Sequence, residues 1–83
     1  MKIKRSDDSN NIYETISKNI KYYRKKKGLT QIELAEKVDL SHEFIRRIES
    51  KKGDKYFSID TINRIAKALE IKIQYFFEEH KDN

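Results

Sequence analysis

The sequence predicts an all-α domain of five short helices, and three observations carry that expectation. Apolar residues recur at three- and four-residue steps in successive segments, Pro is absent, and no two segments alternate in a way that lets them pair as strands. A length of 83 residues bounds the chain to one domain. With no Cys, neither a disulfide nor a thiolate metal site can staple it, so stability must come from the 36% of residues that are hydrophobic, with a partner subunit able to add to that core.

Residues 1–11 are polar, with Ser6, Asp7, Asp8, Ser9 and Asn10 in a row, and read as a flexible arm. The domain proper spans residues 12–79, and residues 80–83 form a polar tail. Ile12, Ile16, Ile20 and Tyr23 mark one face of the first helix, which Gly28 stops. Thr30 and Glu33 then open a second helix as a capping box, with Leu34, Ala35 and Val38 as its buried stripe. Asp39 and Leu40 make a turn. Ser41 caps a third helix that runs to about Ser50 and faces Ile45 and Ile48 inward. A basic loop follows, Lys51, Lys52, Gly53, Asp54 and Lys55, and after it Tyr56 and Phe57.

Ser58 caps a fourth helix, in which Ile62, Ile65, Ala66 and Leu69 fall at i, i+3, i+4 and i+7. Residues 71–79 read as a fifth helix, shorter and rich in aromatics. Ile71, Ile73, Tyr75 and Phe77 also alternate like a strand, but Phe76 breaks the alternation and no second strand exists to pair with, so helix is preferred.

Charged residues make up 40% of the chain, for a formal net charge of +5. Residues 1–28 carry nine basic and three acidic side chains, residues 29–40 one and three, residues 41–57 five and three, and residues 58–83 four and five. Such polarity suits a molecule with one face toward phosphate and another toward a partner. Lys25, Lys26 and Lys27 fit phosphate contact and a solvated helix C-terminus equally well. No apolar run approaches the roughly 18 residues of a membrane span, and the start MKIKRSDDSNN lacks the apolar stretch of a secretory signal. A cytoplasmic, nucleoid-associated location is expected. Catalysis is not: His42 and His80 are the only His, and neither paired acids nor a Gly-rich loop has catalytic spacing. His80 with Glu78, Glu79 and Asp82 reads as a frayed tail rather than a metal site, and no cofactor is expected.

Residues 29–49, LTQIELAEKVDLSHEFIRRIE, thus describe two short amphipathic helices joined by a tight turn in a basic domain. That is the plan of a helix-turn-helix, which lays its second helix in a DNA major groove. The wider stretch RKKKGLTQIELAEKVDLSHEFIRRIES, followed by SIDTINRIAKALEI, resembles the Cro/CI-type (XRE family) helix-turn-helix regulators. Their pattern is an Arg, then G-L-T-Q-x-E-L-A, a turn, S-x-x-[aromatic or small]-I-x-x-[I/L]-E, and later S-[I/L]-x-T-L-x-x-I-A-x-A-L. The resemblance covers residues 12–79 and implies a five-helix, lambda-repressor-like DNA-binding domain with its helix-turn-helix at helices 2 and 3. It specifies role far less, since such domains serve phage repressors, restriction-modification controllers, antitoxins and metabolic regulators alike.

Carried over, the resemblance assigns Gln31 to a phosphate contact at the N-terminus of helix 2, against the plainer reading of an ordinary polar first-turn residue. Helix 3 becomes the recognition helix. With Ile45 and Ile48 inward, the outward side chains His42, Glu43, Arg46, Arg47 and Ser50 are the base-reading candidates. Arg46 or Arg47 can offer two donors to guanine O6 and N7, and His42 can donate to a purine acceptor or to phosphate. Glu43 either accepts from cytosine N4 or points away from the groove. Phe44 leans on helix 2 in preference to touching a thymine methyl. Lys51, Lys52 and Lys55 are phosphate candidates, and Arg24 with Glu49 is implied to form a partly buried ion pair between helices 1 and 3.

The chain departs from the family pattern at Asp39, where Gly is usual, in a loop about two residues longer before Ser58, at Phe57, where Pro is usual, and in its aromatic ending. One such module buries only about 600–1,000 Å² against DNA, and the family answer is a two-fold dimer on half-sites about 34 Å apart. Tyr75, Phe76 and Phe77 cannot all face one small core, which predicts a symmetric interface on helix 5, with Tyr56 or Phe57 able to join it. The expected function is a sequence-specific transcriptional regulator that binds a near-palindromic double-stranded operator as a homodimer. The alternative is an antitoxin-like protein-interaction module with secondary, autoregulatory DNA binding.

Overall fold

The computed structural model describes residues 12–50 and 57–79. They form four α-helices, α1 (Ile12–Lys26), α2 (Gln31–Val38), α3 (His42–Glu49) and α4 (Ile59–Ala68), followed by a 3₁₀ turn, Ile73–Phe77. No strand occurs among the described residues. Lys51, Lys52, Lys55 and Tyr56 lie outside them, as do the N-terminal arm and the C-terminal tail.

Helices α2, α3 and α4 each begin where the sequence supplies an oxygen acceptor. Thr30 Oγ1 accepts from the Glu33 amide at 3.0 Å while Glu33 Oε1 accepts from the Thr30 amide at 2.9 Å, the reciprocal pair of a capping box. Ser41 and Ser58 accept the amides of Phe44 and Thr61, both at 3.0 Å.

Helices α1, α2 and α4 share one kind of ending, although only the first has Gly. Gly28, Asp39 and Glu70 take left-handed φ values of 73°, 59° and 60°. The next residues, Leu29, Leu40 and Ile71, return their amides to the carbonyls of Arg24, Ala35 and Ala66 at 3.1, 3.0 and 3.0 Å, and all three apolar side chains lean on the core. Asp tolerates this backbone because its short polar side chain can bond locally. Glu70 pairs with Lys27 Nζ at 2.8 Å, and that ammonium holds its carboxyl below the usual carboxylate range.

The core gathers Ile16 and Ile20 from α1, Leu34, Ala35 and Val38 from α2, Ile45 and Ile48 from α3, and Ile62, Ile65, Ala66 and Leu69 around α4. Ile12 begins the apolar face of α1 but remains exposed, while Tyr23 is half-buried. Helix α4 is tied on from both sides: Arg64 Nη2 donates to the Val38 carbonyl at 2.6 Å, and Phe57 meets Tyr13 edge to face at 5.2 Å.

The fifth helix expected over residues 71–79 is instead the five-residue 3₁₀ turn. Its tighter period eclipses residues three apart, so Ile73 and Phe76 turn toward the core together. Asn19, buried on α1, completes the turn by donating through Nδ2 to the carbonyls of Phe76 and Glu78, both at 2.7 Å. Those carbonyls have nowhere to continue as a helix, because Glu78 is already extended at φ −96° and ψ 143°. The expectation for the aromatic ending is corrected in one respect. Phe76 is 0% exposed and belongs to the core, not to an interface, whereas Tyr75 and Phe77 are each 38% exposed. Asn19→Ala strands carbonyls that lose their donor and is expected to lower unfolding free energy by about 1–3 kcal/mol, measured by urea denaturation.

Candidate nucleic-acid interface

Helix α3 is divided by its own period. Ile45, Ile48 and Glu49 are buried, Phe44 is half-buried against the core, and His42, Glu43, Arg46 and Arg47 are exposed. At about 100° per residue the last four share one side, with His42 at its edge nearest the direction of Glu49. Ser50, half-buried, ends the helix as its C-cap and donates its amide to Arg47 O at 3.2 Å.

A chain of hydrogen bonds sets the pose of this helix. Arg24, near the end of α1, donates from Nε to Glu49 Oε2 at 2.7 Å and from Nη2 to Glu49 Oε1 at 2.9 Å, and its Nη1 meets the Leu29 carbonyl at 2.6 Å. Both side chains are nearly free of solvent, at 7% and 2% exposure. Gln31 extends the chain: its Nε2 donates to Glu49 Oε1 at 3.0 Å, and its Oε1 lies 3.3 Å from His42 Nε2. Three helices are thus fastened at the base of the exposed face. Two planar groups meeting in a fork hold orientation as well as distance.

The exposed face carries a second, weaker pair. Arg46 Nη2 donates to Glu43 Oε1 at 2.8 Å, three residues apart on the same helix. The hydrogen bond from Arg46, and then its charge, holds the Glu43 carboxyl below the usual range and pushes the Arg46 guanidinium up. Glu43 therefore brings no unanswered negative charge to the face. The Arg47 side chain, also exposed, has no hydrogen-bond or ion-pair partner among the described residues.

Of the sequence-derived candidates, the fold brings Gln31, His42, Glu49 and Arg24 into one network, while Glu43 and Arg46 pair beside it. Tyr75 and Phe77 belong to the separate 3₁₀ turn, where Tyr23 stacks on Tyr75 at 6.2 Å and burial pushes the Tyr23 hydroxyl up, helped by Tyr22, Glu78 and Tyr75. Sequence reasoning missed Asn19 and the bridging role of Gln31. A signal for the first exists, since Asn19 falls three residues after Ile16 on the apolar side of α1 and is polar there. No helix among the described residues is long and apolar enough to cross a membrane.

The helix-turn-helix family HTH_3 matches residues 20–76, which takes in all of α2, α3 and α4 and most of the 3₁₀ turn. The chain belongs to this family, the XRE-type helix-turn-helix domains. It is 40% identical over 60 residues to the immunity repressor protein of Bacillus phage phi105, a match covering 71% of this chain and 40% of the repressor. The chain spans 40% and 58% of the lengths of two curated relatives it matches. Among solved structures it is similar to SinR, the master regulator for biofilm formation, in complex with DNA, at 28% identity and a TM-score of 0.69, over 76% of this chain and 98% of that one. It is also similar to the nucleoprotein complex of C.Esp1396I, at 33% identity and a TM-score of 0.71, over 81% and 84% of the two chains.

Proposed function

We propose that this chain is a sequence-specific DNA-binding transcriptional regulator that sets α3 in the major groove and acts as a homodimer on a near-palindromic operator. The observation that carries this is the outward face of α3, where His42, Glu43, Arg46 and Arg47 stand exposed on a helix locked from behind by Arg24 and Glu49. The likeness to SinR in complex with DNA and to the nucleoprotein complex of C.Esp1396I supports it. Arg47 is the first choice for guanine, its guanidinium having no partner among the described residues. Arg46 reads together with Glu43: the carboxylate accepts from cytosine N4 while the remaining guanidinium donors reach a neighbouring guanine. Gln31 approaches phosphate through its backbone amide at the start of α2, since both ends of its side chain already have partners. Lys51, Lys52 and Lys55 add phosphate contacts.

An acid facing DNA without a partner would favour a protein-interaction module, and Glu43 stands on the exposed face of α3. The pair with Arg46 removes that reason.

Selecting bound duplexes from a random pool tests the function directly. The expected product is a two-fold consensus with half-sites about 34 Å apart; a pool that never narrows would end the proposal. On the selected operator, Arg47→Ala should lose about 1–3 kcal/mol of discrimination against random duplex. An equal loss on both duplexes would reassign Arg47 to phosphate.

Dimerisation is assigned to Tyr75 and Phe77, large side chains still exposed on the C-terminal turn. Phe77→Glu is expected to convert a sedimenting dimer to monomer while leaving the monomer folded. A wild-type chain that sediments as a monomer at high micromolar concentration would remove the homodimer.

A further inference from the structure

The hydrogen bonds around Gln31 determine which ring nitrogen of His42 carries the proton. The Glu49 carboxylate can only accept, so the Gln31 atom 3.0 Å from it must be the amide nitrogen. The amide oxygen of Gln31 is then the atom 3.3 Å from His42 Nε2, and a carbonyl oxygen also only accepts. His42 Nε2 is therefore the N–H donor. In the neutral ring Nδ1 is left as an acceptor, and protonation turns Nδ1 into a second donor without disturbing the bond to Gln31. His42 is exposed, and its Nδ1 has no partner among the described residues.

We propose that His42 is a specificity-determining residue whose preferred base changes with its protonation, and that Gln31 is the residue that positions it. Neutral, Nδ1 accepts from an amino group, adenine N6 or cytosine N4. Protonated, it donates to guanine O6 or N7. The inference rests on α3 being the DNA-reading helix.

The groups around His42 come from three helices. On its own helix stand Glu43 and Arg46, paired with each other, and Arg47; from α2 comes the neutral Gln31; Glu49 lies behind Gln31 and is answered by Arg24 of α1. Phosphates favour the protonated ring on every duplex alike. A ratio of affinities between two duplexes cancels that common gain, so the ratio is the quantity to measure.

The experiment selects duplexes with the full chain at about pH 5.5 and about pH 8, on either side of the range in which histidine changes charge. One position per half-site is expected to move from adenine or cytosine at the higher pH to guanine at the lower. For duplexes differing only there, the ratio of Kd values should shift roughly three- to tenfold, the worth of one hydrogen bond. His42→Gln offers both a donor and an acceptor at any pH, so the consensus it selects should be the same at both pH values. Gln31→Ala should show a smaller shift in that ratio, with the imidazole nitrogen resonances of His42 at high pH moving toward a mixture of tautomers. An identical consensus at both pH values, or a shift that survives in His42→Gln, overturns the proposal while leaving DNA recognition intact. No consensus at either pH overturns both.

Discussion

Glu49→Ala is expected to destabilise the domain by about 3–5 kcal/mol in urea denaturation, because it leaves a guanidinium buried without its counter-charge. Arg24 has its Nε and Nη2 on that carboxylate and is only 6% exposed, so water cannot replace the lost partner without opening the junction of α1 and α3. Gln31 loses its acceptor in the same change. Against a total of about 5–15 kcal/mol for a typical domain, this is a large share. Replacing both partners together, Arg24→Met with Glu49→Leu, should cost much less, since no charge is then left unpaired. A loss near 1 kcal/mol for Glu49→Ala would mean the pair behaves as an exposed one. Even where the double variant folds, it should bind DNA poorly, because Gln31 and His42 have lost the group that orients them.

Phe76→Ala should cost a similar amount, about 3–5 kcal/mol, by opening a cavity where a fully buried ring closes the core. The neighbouring change Phe77→Ala removes a side chain that is 38% exposed and should cost under about 1 kcal/mol of monomer stability. The contrast separates core from interface. Loss at Phe76 is expected to be independent of protein concentration, whereas an interface residue would show its effect only where dimers form. A concentration-dependent midpoint shift for Phe76→Ala would place that ring between subunits after all.

The starts of α2, α3 and α4 were legible because a cap is a local device: Thr30, Ser41 and Ser58 each reach an amide three residues on. The turn at Asp39 and Leu40 was legible too, since it is set by residues adjacent in the chain. Glu70 was not, since nothing in a Glu advertises a positive φ. Its sign lies in the following apolar residue, Ile71, which occupies the same place as Leu29 and Leu40 after the other two turns. The C-terminal segment misled because five aromatic and aliphatic residues among the seven positions 71–77 fit helix, strand or turn by pattern alone. Asn19 settles it by taking carbonyls more than fifty positions away in sequence.

By itself, the sequence determined the helical class, the caps, the turn between α2 and α3, and which face of α3 is apolar. These follow from interactions within a few residues, where side-chain chemistry and a 3.6-residue period leave little choice. Only the tertiary structure decided that Phe76 is core while Tyr75 and Phe77 stay at the surface, and that Gln31 faces inward to join Glu49 to His42. Solvent exposure, rotamer choice and hydrogen-bond partnership between helices depend on what packs alongside. A buried carboxylate that can only accept fixes an amide, and the amide fixes a ring, only once three helices have come together.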